Sequence, residues 1–283
     1  MMRATQMDEV SVLADDYTVG QNELTLRYPK PNLQAGMVVC AGLNTFIVLA
    51  VGAGGQTLTV YPSGDGGPEV AVPHGTLVRI RPAVTTWSLL REWNSALTSM
   101  SAPPNGITGF GMFESVPDYV ANVYPLPDTD PWTTRQPIRV LAAQYHAIGQ
   151  DVWRNLNGVE YQHTVRTIKV VGRVPDATQL RFTLSFPFDQ ATDLTTDTTV
   201  LGLNQYNEDI PGLGAAAMLA LGDEGRRNQP VRQGDPRRAG EVQAGANIGM
   251  ARAFQAAFKQ RIIEETARQG TLYPYRMQDV VNG

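Results

Sequence analysis

The run DIPGLGAAAMLALGDEGRRNQPVRQGDPRRAGEVQAGANIGMARAFQAAFKQRIIEETAR, residues 209–268, decides how the rest of the chain is read. Asp209 is a good N-cap, and Pro211 falls in the first turn, where a missing N–H does no harm. Leu213, Ala216, Ala217, Ala220 and Leu221 recur at helical spacing, and Gly225 offers a stop. A connector from Gly225 to Gly240 carries Arg226, Arg227, Arg232, Arg237 and Arg238 and is broken by Pro230 and Pro236. In the second helix Ile248, Ala251, Phe254, Phe258 and Ile262 form one apolar stripe, with Arg252, Lys259, Arg261, Glu264 and Arg268 off it. Glu264 and Arg268 make a favourable i,i+4 pair, and Gly270 sits where a C′ glycine belongs. The many alanines and glycines let another backbone come close, so the stretch reads as an element built for packing.

A chain of 283 residues is long enough for two or three domains with their own cores. A net charge of −4 argues against a general nucleic-acid coat and leaves room for a local basic patch. One cysteine, Cys40, excludes an internal disulfide and any Cys-rich zinc site, and its apolar run makes it a buried, inert residue. The longest apolar runs fall well short of the ~18–20 residues of a membrane span. Met1–Val10 has no apolar h-region and does not read as a secretory signal.

The first ~80 residues read as short strands and glycine turns: Asn22–Tyr28, Met37–Cys40, Phe46–Val51, Gln56–Tyr61 and Thr76–Arg81. Five such strands suggest a small β-barrel or rolled sheet. Gly52, Gly54 and Gly55 stand before a strand, with no Lys-Ser/Thr after them, which makes a hairpin turn and not a phosphate loop. Thr85 or Thr86 caps a helix to about Met100, whose buried face is Trp87, Leu90, Trp93 or Asn94, Leu97 and Met100. Thr108–Glu114, Ile138–Ala142, His163–Val171 and Gln179–Phe186 read as strands, Tyr124–Pro131 as a loop and Asp189–Thr199 as a linker. The alternation in 166–171 and 180–184 predicts a sheet with one exposed face. The expected fold is α+β: an N-terminal β-barrel-like domain (1–82), a central helix (83–104), an inserted second β-rich domain (105–205) and a C-terminal helical region (206–283). The central helix packs with the C-terminal helices as one bundle, since each has a single apolar stripe to bury.

Tests for chemistry return nothing that assembles a site. His74, His146 and His163 are far apart and lack metal-like partners at i+2 to i+4. Asp15 with Asp16, Asp128 with Asp130, and Asp189, Asp193 and Asp197 lie beside turn residues, and none has the donor spacing of a calcium loop. No nucleophile elbow is present. The expectation is no enzyme, no cofactor and no metal. The arginines at 226, 227, 232, 237 and 238 are either a solvated interhelical loop or a contact to carboxylates of a neighbouring subunit or to phosphates.

Two stretches together resemble a known family. Gly36–Arg81, with Gly54-Gly55-Gln56-Thr57-Leu58-Thr59-Val60, Asp65-Gly66-Gly67, His74 and Gly75-Thr76-Leu77-Val78, is similar to a small β-module of tailed-bacteriophage proteins, especially those of actinobacterial phages. Tyr61-Pro62-Ser63 replaces the module's usual Arg-Gly turn, and Gly67-Pro68 stands for its Gly-Thr. Asp209–Arg268 resembles the helical C-terminal part of head-to-tail connector (adaptor) proteins. The resemblance implies a structural virion protein made in the bacterial cytoplasm: a homo-oligomeric, twelvefold ring at the neck, between the portal and the tail or stopper proteins. DNA would pass through its lumen, and no membrane is involved. A receptor- or glycan-binding tail module is the competing class, and a cluster of exposed Trp on a sheet face would favour it.

Overall fold

The computed structural model describes residues 9–102, 106–231 and 246–272, with 223–231 and 246–247 as backbone alone. Six strands come first: β1 (Glu9–Val12), β2 (Glu23–Thr25), β3 (Val38–Ala41), β4 (Asn44–Val51), β5 (Thr57–Tyr61) and β6 (Leu77–Ile80). They form one antiparallel sheet in the order β1-β6-β3-β4-β5-β2. This corrects the barrel expectation. The sheet is open, and its edge strands meet at a single bridge between Leu13 and Leu26. Short edge strands of four and three residues do not supply the full ladder that closure requires. Alternating positions fill the core: Leu24, Val39, Phe46, Val48, Leu58, Val60, Val78 and Ile80 are each at most 2% exposed. Between β4 and β5 the glycines make a tight turn, as expected of a hairpin. Gly55 has φ +73°, and a Cβ there would lie 2.5 Å from the Lys30 carbonyl oxygen, so no side chain fits.

Helix α1 (Thr86–Ser101) follows, and Thr85 is its cap: the Thr85 Oγ1 accepts from the Ser88 N–H at 3.2 Å. Leu90, Leu97 and Met100 are buried as expected, together with Ala96, while Trp87, Trp93 and Asn94 are half-buried. The Asn94 amide brackets the backbone of Ala191, donating to its carbonyl at 2.9 Å and accepting from its N–H at 2.8 Å.

Seven further strands are β7 (Gly109–Ser115), β8 (Val123–Pro125), β9 (Arg139–Ala147), β10 (Trp153–Asn155), β11 (Val159–Gln162), β12 (Thr167–Val170) and β13 (Ala177–Phe186). They pair antiparallel as β10-β9-β13-β7 and β11-β12-β8. Leu180, Phe182, Leu184 and Phe186 of β13 point to a core shared with Phe113, Tyr124, Trp132, Ile168 and Val170. The alternation in β13 is real, yet Thr183 (8% exposed) and Ser185 (0%) on its other face are buried too. Both lie between β9 and β7, and the Ser185 hydroxyl donates to the Arg139 carbonyl at 3.4 Å.

Helices α2 (Ile210–Val231) and α3 (Ala246–Leu272) close the fold, which is mixed α+β. Both run past the glycines read as stops. A helical glycine costs about 1 kcal/mol against alanine, too little to end a helix among good formers. Pro230 lies inside α2, whose described residues run to Val231. Gly270 lies inside α3 and lacks the left-handed φ of a C′ residue. The chain divides into two compact units: Met1–Asn94 with Ala191–Thr195 and Ala215–Arg252, and Ser95–Gln190 with Thr196–Gly214 and Ala253–Gly283. The six-stranded sheet lies in the first and the two smaller sheets in the second.

Candidate assembly surface

The apolar stripe expected on α3 is where the structure buries that helix. Ala251 and Ile262 are buried, and Ile248, Phe254 and Phe258 half-buried. On α2 Ala217 and Ala220 are buried and Leu213 and Ala216 half-buried, but Leu221 is 45% exposed, outside the core assigned to it from spacing. Gly214 marks a close approach. A Cβ on it would stand 2.7 Å from the Cβ of Ala96 on α1, and 3.0 and 3.2 Å from the Cε2 and Cδ2 of Phe258 on α3. Only a glycine permits that spacing, so the small residues do what their abundance suggested.

Asp209 immediately precedes α2, as its N-cap reading requires, but its carboxylate is spent on α3. Arg261 donates to it through Nε (2.9 Å, to Oδ2) and NH2 (3.0 Å, to Oδ1), and also to the Tyr206 carbonyl (2.9 Å). The guanidinium holds the Asp209 carboxyl below the usual carboxylate range. Glu264 pairs backwards with Arg261 at 2.9 Å. Arg268 takes Glu265 instead of Glu264, at 2.6 Å, because Glu265 (2% exposed) points inward beside it. The Arg268 guanidinium also lies over the Tyr206 ring, 4.4 Å from its centroid. Gln269 completes the group: its side-chain amide donates to the Thr108 carbonyl (3.1 Å) and to Glu265 (3.0 Å), and its oxygen accepts from the Thr108 N–H (3.4 Å). A signal for Glu265 was present, since one more step of three from Ile262 along the stripe reaches it. Nothing local could pair Asp209 with Arg261, 52 residues on.

Opposite the buried stripe α3 carries a second face. Ala253, Ala256, Gln260, Ile263 and Ala267 recur at steps of three and four, all exposed and none charged, with Ile263 62% exposed. Of the arginines singled out from sequence, Arg226 and Arg227 lie on the α2 backbone, not in an extended connector. Arg232, Arg237 and Arg238 lie outside the described residues.

The remaining candidates do local work. His74 and Asp16 pair at 2.8 Å on an exposed turn, His146 meets Thr178 at 2.9 Å, and His163 stacks edge-on to Tyr161. Asp193 and Asp197 accept from the N–H and hydroxyl of Thr195 and Thr199, two residues on, as turn-forming aspartates do. No three His, Cys, Asp or Glu side chains among the described residues stand where they could share a metal ion. Among them too, no helix is long and apolar enough to cross a membrane. Trp132 is buried, and Trp153 is overlaid by the guanidinium of Arg181 at 3.9 Å, which itself pairs with Glu114 at 2.7 Å. No family model matches the chain, and no curated protein does.

Proposed function

We propose that this chain is a structural virion protein, a head-to-tail connector of a tailed bacteriophage that forms a homo-oligomeric ring, expected to be twelvefold, between the portal and the tail or stopper proteins. In this reading the strands between α1 and α2 are a second β-domain inserted into a bundle of α1, α2 and α3, and the lumen of the ring passes DNA. One observation carries the proposal: α1, α2 and α3 converge on Gly214, which supports the packing role that the resemblance gives the C-terminal helices. The exposed, uncharged face of α3 supports further association, since it leaves a long helix with surface suited to a neighbour. The receptor-binding alternative wants bare tryptophan faces on a sheet, and Trp132 and Trp153 provide none.

The arginines at 226, 227, 232, 237 and 238 are assigned to contacts with carboxylates of a neighbouring subunit or the portal. Sustained phosphate binding would slow DNA transit, and an acidic chain supplies carboxylates on every copy. The native mass of the chain, alone and mixed with portal, tests the ring: a portal-dependent oligomer is expected, and a single unpaired copy in the particle overturns it. Changing Arg226, Arg227, Arg237 and Arg238 to Ala should leave the circular dichroism unchanged and weaken incorporation into particles. Normal incorporation together with lost DNA binding at physiological salt would reverse the assignment in favour of DNA.

A further inference from the structure

We draw no further inference here: the strongest candidate, the outward Ala253–Ala256–Ile263–Ala267 face of α3, belongs to the ring reading already proposed, and nothing in the structure shows which surface covers it.

Discussion

Two glycine-to-alanine substitutions in the same helix should move stability in opposite directions. At Gly222 a Cβ meets nothing within 4 Å, so Gly222→Ala keeps only the helix-propensity gain of about 0.5–1 kcal/mol. At Gly214 the new carbon would sit 2.7 Å from the Ala96 Cβ, about 1 Å inside the comfortable carbon–carbon separation. Ala96 has no rotamer to turn aside, so the helix backbones must part. Overpacking of this kind costs about 1–3 kcal/mol, and the propensity gain offsets about 1 of it. The net expectation is a loss of about 1 kcal/mol, rising to about 2 if the Phe258 ring, 3.0 Å away, cannot swing clear. Urea unfolding followed by far-UV circular dichroism measures both, with unchanged m-values as the sign that only stability has moved. The swap Ala96→Gly with Gly214→Ala should recover part of the loss, with a coupling of about 0.5–2 kcal/mol. A Gly214→Ala protein as stabilised as Gly222→Ala would refute the close approach of α1 and α2.

Ile262→Ala, in the buried stripe of α3, should cost about 2–4 kcal/mol, whereas Leu221→Ala at an exposed position should stay within about 0.5 kcal/mol; the same unfolding curves decide. Arg261→Ala should cost about 1 kcal/mol at pH 7, a figure held down because both partners are partly solvated. The Asp209 carboxyl titrates lower in the folded chain than unfolded. Its contribution is therefore fully present above about pH 4 and lost as pH falls through the depressed value, so the gap between wild type and Arg261→Ala should close in acid. Cys40 is 1% exposed and burial pushes its thiol up, so iodoacetamide at pH 8 should label it only after unfolding. Fast labelling of the native chain would place the β3 core wrongly.

Periodicity carried most of what was legible. α1 was read to within a residue of its ends because Thr85 caps it and its apolar positions repeat at helical spacing. Four of the first six strands matched closely, since glycine and proline punctuate them. What failed was context. β8, β10 and β11 are three or four residues long, too short to show a period, and Pro125 made β8 look like a loop. β1 was missed because Glu9–Val12 has charge at its start and draws its burial from pairing with β6. The glycines at 225 and 270 were over-read as stops, because a propensity penalty of about 1 kcal/mol yields to the rest of the helix. In the candidate surface the stripes were legible and the cross-links were not. Asp209–Arg261 and Gln269–Thr108 join residues far apart in sequence, and no local spacing announces them.

The turn at Asp65-Gly66-Gly67 anchors the start of α1. The Asp65 carboxylate accepts from the hydroxyls of Thr45 on β4 (2.8 Å) and of the cap residue Thr85 (2.6 Å), and from the Gly67 N–H (3.2 Å). A negative group at the first turn of α1 also complements the positive end of the helix dipole. A Cβ on Gly67 would strike the Trp87 ring at 2.7 Å, so only a glycine lets the indole come this close to the turn. The turn therefore ties the start of α1 to β4 of the six-stranded sheet.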